Sequence, residues 1–349
     1  MVRLRRALAG MAVAFTPIAA IVAPGLASTA EATTPEVGFT ADPLPTYQTN
    51  GIAWALAQAE GVVYVGGTFS AVRPPGSAAG VNESAASNFV ALDATTGTPT
   101  GCQLAFTGPS SSVRALAVSP DQQTLYAAGL FSAVGGTPAQ NFAAIDLTTC
   151  RPILSFRPQV GGWARSISVA PNGNVFIGGD FGTVNDQPRQ RFAAFDPTGA
   201  LLPWAPAAAS NPKTDAATGV TTIPPSSGYA IAITPDGQSA AIGGAFDTIN
   251  GADSHALAIV DTASGAVVRG YPNRSFASQA STVKTLFADS TGLYSGNEGT
   301  GFEVFDGRTA LDLGTFNQRW RDWCFGATQS VLVERGNLYG ASHAHDCNR

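Results

Sequence analysis

Charged residues are scarce in this 349-residue chain, making up 12% of it, with 19 Lys and Arg against 24 Asp and Glu. The formal net charge is −5, and no stretch concentrates Lys or Arg into a patch that could neutralise phosphates, so nucleic acid is excluded as an expected partner. After residue 32, no twelve-residue stretch keeps a helical apolar period without Gly, Pro or β-branched interruption. Long amphipathic helices need many more Glu, Lys and Leu. The composition therefore predicts an all-β fold.

Sequence motifs of common catalytic sites are also missing. There is no GxSxG nucleophile elbow and no Cys-x-x-Cys pair. Glycoside hydrolysis needs two carboxylates roughly 5 to 10 Å apart, and the glutamates after residue 32 offer no pairing visible in sequence. No catalytic residue and no bound cofactor are predicted from these patterns.

The first 32 residues have the pattern of a secretory signal peptide. Arg3, Arg5 and Arg6 precede an apolar run from residue 7 to residue 23, and Ala30-Glu31-Ala32 is a small-x-small cleavage site. The run is interrupted by Thr and Pro and is shorter than the roughly 20 residues that span a bilayer, so no membrane span is expected. Removal of this segment leaves 16 Lys and Arg, 23 Asp and Glu and a net charge of −7. We expect a secreted protein, extracellular or cell-wall associated, whose single domain covers residues 33–349.

Internal repeats give the strongest signal for the fold. The segment VYVGGTFSAV recurs three times with small changes and twice more in degenerate form, and each early copy is followed by a second matched segment such as NFAAIDLTTC. The six glycine-aromatic copies start at Val63, Leu125, Val175, Ala240, Leu293 and Leu338. The five second segments start at Asn88, Asn141, Arg191, His255 and Gly301. An alternating strand precedes every copy, and Pro, Asp, Asn and Gly supply the turn between strands one and two.

Each repeat is expected to form three or four antiparallel strands. The fourth, outer strand is predicted where aromatic and proline residues cluster after each turn, at Phe156-Arg157-Pro158, Trp204-Ala205-Pro206, Tyr271-Pro272 and Trp320. The repeated phenylalanines at 69, 131, 181 and 246 are 62, 50 and 65 residues apart, close to a kelch-type blade of roughly 50 residues with loop insertions. Such a unit cannot stand alone and must stack on its neighbours.

The predicted architecture is a β-propeller of about six blades, with five full repeats and a partial sixth. A β-sandwich or a solenoid is the alternative. A ring whose last blade lacks its outer strands exposes an unpaired edge. Either the stretch Pro35–Pro45 returns to complete that blade, or the chain is a truncated form of a longer protein, which is the preferred interpretation.

The recurring GGxF segment followed by AAxDxxTG, together with the W-x-P cluster, resembles the delta-60-type β-propeller repeats of secreted actinobacterial proteins, a family largely of unknown function. The resemblance covers about residues 45 to 347, and four copies share both segments in the same order. It implies a propeller of seven or a similar number of blades, often joined to carbohydrate-binding or adhesion modules, none of which is visible here. In such relatives the segment that resembles SHAHDC continues into further propeller sequence.

Four cysteines in an exported chain predict disulfides. Of the three connectivities, we favour Cys102 with Cys150, which occupy comparable turns of adjacent repeats, and Cys324 with Cys347, which bracket two strands of the last repeat.

His343, His345 and Asp346 form the only dense polar cluster, and in a strand the two histidines point to one face. A divalent metal site is one hypothesis, although it lacks an identified third ligand. The alternative is that these residues cap a blade and bind loop backbone.

Two further sets of repeated residues are expected to build structure. The aspartates at 93, 146, 196, 261 and 306 each precede a Thr or Ser and Gly turn, where an Asp side chain accepts backbone N–H bonds. The glycine pairs starting at 66, 178 and 243 either let neighbouring blades approach closely or form a bulge.

The sequence therefore predicts a non-catalytic extracellular propeller that binds or scaffolds a protein or a polysaccharide. A propeller-type polysaccharide lyase or hydrolase is the alternative. Convergence of Asp, Glu, His, Arg and Tyr from three or more blades would separate the two.

Overall fold

The computed structural model describes residues 44–278, 280–300, 304–323 and 326–343. These residues belong to one compact unit, Leu44–Arg349. The described part of the chain contains β-strands and a short 3₁₀ segment at Pro272–Arg274, and it contains no α-helix. The expectation of an all-β fold is confirmed.

The strands fall into six successive repeats, as the sequence pattern predicts. Repeat 1 contains β1 (Gln48–Thr49), β2 (Ile52–Ala59), β3 (Val62–Thr68), β4 (Ala71–Arg73), β5 (Ser84–Ala85) and β6 (Phe89–Asp93). Repeat 2 contains β7 (Phe106–Thr107), β8 (Ser112–Val118), β9 (Thr124–Leu130), β10 (Ala133–Val134), β11 (Thr137–Pro138), β12 (Phe142–Asp146) and β13 (Arg151–Pro152). Repeat 3 contains β14 (Ala164–Val169), β15 (Val175–Gly179), β16 (Thr183–Val184), β17 (Gln187–Pro188) and β18 (Phe192–Phe195).

The later repeats have the same order with different additions. Repeat 4 contains β19 (Ala208–Ala209), β20 (Lys213–Thr214), β21 (Thr221–Thr222), β22 (Ser227–Ile233), β23 (Ser239–Ala245), β24 (Thr248–Ile249), β25 (Ala252–Asp253), β26 (Leu257–Asp261) and β27 (Val267–Gly270). Repeat 5 contains β28 (Ser281–Asp289), β29 (Gly292–Gly299), β30 (Gly307–Leu311) and β31 (Gln318–Asp322). Repeat 6 contains β32 (Thr328–Glu334) and β33 (Asn337–Ser342).

Each repeat forms one main antiparallel sheet whose first strand lies at its edge. The orders are β2-β3-β6, β8-β9-β12-β13, β14-β15-β18, β22-β23-β26-β27, β28-β29-β30-β31 and β32-β33, and we number these sheets 1 to 6. The first strands are called inner strands here, because each contacts the first strand of the next sheet, from β2 through to β32. Short strands after the repeated phenylalanine form small separate sheets, such as β7-β10-β11.

The hydrophobic core is divided into layers between consecutive sheets. Side chains alternate along a strand, so Leu125 of β9 packs toward sheet 1 while its neighbour Tyr126 packs toward sheet 3. Corresponding layers lie between sheets 3 and 4, 4 and 5, and 5 and 6. Sheets that have a neighbour on each side are covered on both faces. Their strands are therefore apolar at consecutive residues, as in the buried Phe-Ala-Ala-Ile run of β12.

The outer strands do not lie where the aromatic clusters predict them. Strand β13 ends before Phe156, and β27 ends before Tyr271, whereas only Trp320 lies in a fourth strand, β31. Phe156 and Trp204 are instead buried between sheets, with Trp204 packed edge-on against Phe176 at 5.0 Å. An aromatic ring placed there covers more apolar surface than it would on an outer strand, which explains the difference.

The fifth repeat is also shifted relative to its expected alignment. The third strand of sheet 5 is β30, so the turn aspartate is Asp312 and not Asp306. Gly307, the first residue of β30, aligns with Asn88 and Asn141, which directly precede the third strands of sheets 1 and 2, and like them it has positive φ. The Asp306 carboxylate instead accepts a hydrogen bond from the Gly299 backbone N–H.

Candidate binding site at the inner edges of the sheets

Every inner strand carries a β-bulge near its start. The pairing between the first and second strands skips one residue in each of the six sheets. A bulged residue is left out of the ladder and its side chain is re-aimed relative to the two sheet faces. The skipped residues are Trp54, Arg114, Arg165, Tyr229, Lys284 and Gln329.

The paired glycines of the second strand have two separate roles. A Cβ on Gly66 would lie 2.4 Å from Val113 Cγ1 of the next sheet, so the first glycine allows neighbouring sheets to approach. A Cβ on Gly67 would lie 2.2 Å from the Ile52 carbonyl oxygen of its own inner strand, so the second glycine makes room for the bulge. The first glycine therefore allows the predicted close approach of the sheets, whereas the bulge lies on the inner strand opposite the glycines and not in the glycine segment itself.

Five of the six bulged residues, all except Gln329, form a row with the neighbouring Trp163 in which aromatic rings and cations alternate. We call Trp54, Arg114, Trp163, Arg165, Tyr229 and Lys284 the inner-edge arc. The Arg114 guanidinium carbon lies 4.1 Å from the Trp54 ring centre and 4.9 Å from that of Trp163.

The alternation continues through sheets 3 to 5. Arg165 lies 5.0 Å from the Trp163 ring centre and 5.6 Å from that of Tyr229, and Lys284 Nζ lies 4.6 Å from the Tyr229 ring centre. These are cation–π distances, and they connect five sheets in an unbroken sequence of contacts.

Polar side chains at the ends of the second strands of sheets 1, 3 and 5 support the arc. Asp180 Oδ2 accepts from Arg165 Nε at 2.6 Å and from its terminal nitrogen at 2.5 Å. Glu298 Oε2 lies 3.1 Å from Lys284 Nζ and accepts from Gln329 Nε2 at 2.8 Å. Trp54 Nε1 donates to Thr68 Oγ1 at 2.9 Å.

Burial and neighbouring charges shift the pKa values of two groups at the arc, Glu298 and Arg114. Partial burial of Glu298 acts to raise its pKa, but hydrogen bonds from Gln329 and Lys284 and the charge of Lys284 outweigh this effect and lower the pKa. A general acid needs a raised carboxyl pKa, so Glu298 is poorly suited to that role. Burial, followed by repulsion from Arg165, lowers the pKa of Arg114.

The predicted metal and disulfide residues are only partly within the described chain. A disulfide joins Cys102 to Cys150 with their Cα atoms 5.4 Å apart. Cys324, Cys347, His345 and Asp346 lie outside the described residues, so the second disulfide and the metal site remain predictions. The backbone N–H of His343, at the end of β33, donates to the Ala327 carbonyl at 3.0 Å. Within the described ranges, no three His, Cys, Asp or Glu side chains are grouped as they would be around a metal ion.

A buried pair, Asp247 and His255, was not anticipated from the sequence. His255 Nδ1 lies 2.8 Å from Asp247 Oδ1, and His255 Nε2 lies 2.9 Å from the Ser278 carbonyl and 3.2 Å from that of Ser281. Both ring nitrogens are thus engaged by groups of the protein itself. The pair joins sheet 4 to the linker that enters sheet 5, which is a structural role.

The arc was also missed, although the sequence carries its signal. Each inner strand contains a small or β-branched residue, a larger bulged residue, a small residue and then an aliphatic one. The six copies are AWAL from Ala53, VRAL from Val113, ARSI from Ala164, GYAI from Gly228, VKTL from Val283 and TQSV from Thr328. The repeats were aligned on the glycine-aromatic segment. Alignment of the first strands as well would have found the residues of the inner-edge arc.

Comparisons with known proteins bear on the fold. No protein-family model matches the chain, and no curated protein matches it in sequence. A chain of the mitotic checkpoint complex crystal structure has a similar fold, with a TM-score of 0.55 and 15% identity, over 96% of this chain and 82% of that one. The computationally designed Ika8 protein is similar over 86% of this chain and 83% of its own, with 15% identity and a TM-score of 0.47. At these identities the likeness to the checkpoint chain shows a generic propeller-like fold and nothing about function.

The described residues also bear on membrane association. In the ranges that the structure covers, no helix has the length and apolar character needed to cross a membrane.

Proposed function

We propose that this chain is an exported, non-catalytic binding module that holds an extracellular polysaccharide at the inner-edge arc. The observation that supports the proposal most directly is the alternation of Trp54, Arg114, Trp163, Arg165, Tyr229 and Lys284 across five sheets. Aromatic rings offer apolar faces for the C–H surface of a sugar, and the cations between them offer hydrogen-bond donors for its oxygens.

The arrangement of the sheets supports a propeller. Six successive sheets contact one another through their inner strands, and apolar layers fill the space between them. We infer that these sheets are blades around a common axis, with the arc on the side nearest the axis. Loop-rich ends of such repeat folds commonly carry binding sites.

Export is supported by the signal-type pattern in residues 1–32 and by the Cys102–Cys150 disulfide. Disulfides persist in oxidising compartments and are rare in the cytosol. We propose a secreted or cell-wall-associated location, which cleavage of the leader near Thr33 would establish when the protein is recovered from culture medium and its N-terminus is sequenced.

The binding proposal is tested by a screen of the full secreted chain against purified polysaccharides and cell-wall fractions. We expect retention on at least one polysaccharide, and loss of retention in Trp54→Ala and Trp163→Ala. Trp320→Ala is the matched control, because Trp320 is a partly exposed tryptophan on the outer strand β31 and not part of the arc. Failure to bind any polysaccharide, or equal loss in the control, would contradict the proposal.

An enzymatic function is the second candidate, since ionisable side chains from three sheets converge as a polysaccharide lyase or hydrolase would require. Arg165 with Asp180, Tyr229, and Lys284 with Glu298 belong to sheets 3, 4 and 5. Appearance of new reducing ends or of unsaturated products during the screen would favour this function over simple binding.

Two further arms of the screen address the remaining partner classes. Addition of a chelator tests the metal hypothesis, because loss of binding would implicate His343 and its neighbours. Extracellular proteins form the last panel, since the structural neighbour from the mitotic checkpoint complex is itself part of a protein assembly.

A further inference from the structure

Within the described residues, Arg114 differs from the other cations of the inner-edge arc in having no carboxylate partner. In sheet 3 the residue after the second glycine is Asp180, which pairs with Arg165. The corresponding residue of sheet 5 is Glu298, which pairs with Lys284. In sheet 2 that position is Leu130, which offers no polar atom.

The guanidinium of Arg114 consequently has no hydrogen-bond acceptor within the described residues. Its Nε is buried without a partner. The Trp54 and Trp163 rings lie over the guanidinium at 4.1 and 4.9 Å, and the group makes neither a hydrogen bond nor an ion pair in the described ranges. Arg114 is partly exposed, so its terminal nitrogens, and not the buried Nε, are the donors that an incoming ligand would reach.

On this basis we propose that Arg114 is the receptor for a carboxylate group of an acidic polysaccharide. The guanidinium fork can donate two hydrogen bonds to a carboxylate. One sheet further along, Arg165 already donates from two nitrogens to the carboxylate of Asp180, with Oδ2 as the shared acceptor. The inference rests on the proposed function and specifies the ligand class of the same site.

Other features of the arc select a sugar acid over a simple anion. The Oδ1 atom of Asp180 accepts no hydrogen bond from the described residues, so a sugar hydroxyl beside Arg165 would find an acceptor there. Trp54 is 45% exposed, which leaves indole surface for a sugar ring. A uronic acid residue supplies the carboxylate, the hydroxyls and the C–H face together.

The electrostatic state of Arg114 agrees with this assignment. Its partial burial and the nearby Arg165 both act against the charged form. A bound carboxylate would offset both effects. Ligand binding would therefore stabilise the charged form of Arg114, which burial and Arg165 disfavour in the free protein.

The test uses the full chain and an oligogalacturonate, with its methyl ester as the matched neutral ligand, measured by calorimetry and tryptophan fluorescence. We expect the methyl ester to bind at least tenfold more weakly. Arg114→Gln should weaken oligogalacturonate binding by at least tenfold, and Arg114→Lys should weaken it less than Arg114→Gln does. Arg335→Gln removes the same charge from an exposed turn and should leave binding unchanged.

Leu130→Asp provides a second, independent variant. It places a carboxylate where sheet 3 has Asp180, so the new side chain should occupy Arg114 and reduce oligogalacturonate binding. Thermal unfolding of each variant checks that the fold is retained.

The outcomes separate the inference from the proposed function. Equal binding of the acid and its ester, or wild-type affinity in both Arg114→Gln and Leu130→Asp, would overturn the carboxylate assignment while polysaccharide binding stands. Binding restricted to sulfated or phosphodiester polymers would also overturn it. Failure to bind every polysaccharide, neutral or acidic, would overturn the proposed function itself.

Discussion

At the scale of single residues, two asparagines connect neighbouring repeats. Asn141 has positive φ and is 7% exposed, its Oδ1 accepts from the Phe131 backbone N–H at 3.0 Å, and its Nδ2 donates to the Val160 carbonyl at 2.8 Å. Asn88 makes the same connections to Phe69 and Phe106. Asparagine is suited to this place because it tolerates a left-handed backbone and carries both a donor and an acceptor.

Replacement of Asn141 by alanine should therefore cost about 2 to 4 kcal/mol of unfolding free energy, since two buried backbone groups lose their partners. Asn82→Ala is the control, because Asn82 also has positive φ but is exposed and makes no side-chain hydrogen bond in the described residues. Its cost should be about 1 kcal/mol. Urea unfolding measures both values, and equal losses would show that the hydrogen bonds of Asn141 contribute nothing.

The turn aspartates make the fold sensitive to acid. Hydrogen bonds from the Thr149 backbone and hydroxyl lower the pKa of Asp146, and those from Ser264 lower the pKa of Asp261. A carboxyl group whose pKa is lower in the folded state stabilises the fold above its unfolded pKa, about 3.9, and loses that contribution as pH falls. Related turns occur at Asp93, Asp196 and Asp312.

We expect stability to be level above about pH 5 and to fall as pH drops through about 4. The slope of the unfolding free energy against pH is proportional to the number of protons taken up on unfolding. Asp146→Asn should lower that number by up to about one and so make the decline shallower. Asp186→Asn is the control, because no side-chain hydrogen bond of Asp186 occurs in the described chain. Thermal unfolding between pH 2 and 7 measures the slopes, and an unchanged slope in Asp146→Asn would contradict the role of its turn.

At the scale of elements, the bulged inner hairpin is the recurring unit, and its second glycine is fixed by backbone sterics. A Cβ on Gly129 would lie 2.0 Å from the Ser112 carbonyl oxygen. The contact cannot be relieved by a side-chain rotation, because the clashing atom belongs to the backbone. The hairpin of β8 and β9 that aims Arg114 therefore depends on this glycine.

Gly129→Ala should destabilise the protein by about 3 kcal/mol or more and change the tryptophan fluorescence, because Arg114 lies against Trp54 and Trp163. Gly182→Ala should stay within about 0.5 kcal/mol of the parent protein, since nothing lies within 4 Å of its added Cβ. Denaturant unfolding followed by fluorescence measures both effects. Wild-type stability in Gly129→Ala would mean that another feature fixes the bulge.

The sequence predicts the strands whose residues follow a local pattern, and it does not predict features that depend on contacts with other sheets. The first, second and third strands of the early repeats follow directly from small apolar alternation and turn residues, as at Val113–Ser119 and β8. The fourth strands do not, because Phe156 and Trp204 have the composition of a strand but pack between sheets. Alignment of the first strands marks Arg114 as one of a row, but its contacts with Trp54 and Trp163 arise from neighbouring sheets and do not follow from the sequence.

At the scale of the whole molecule, burial depends on whether a preceding sheet is present. Leu56, Leu116 and Ile231 occupy the same position after the bulge in the inner strands of sheets 1, 2 and 4. Leu116 packs against sheet 1, its Cδ1 lying 3.3 Å from the place of a Cβ on Gly66, and Ile231 is buried. Leu56 of the first sheet is 68% exposed.

The different exposure of Leu56 and Leu116 can be used to test whether the exposed face of the first sheet is covered in solution. Leu116→Ala should cost about 2 kcal/mol, since it removes packing between two sheets, whereas Leu56→Ala should cost less than about 0.5 kcal/mol at an exposed position. Unfolding of both variants at several protein concentrations provides the comparison. Equal losses would show that the face is covered, and their dependence on concentration would identify the cover: a loss that grows with concentration indicates a second molecule, and a constant loss indicates closure by a sheet of the same chain.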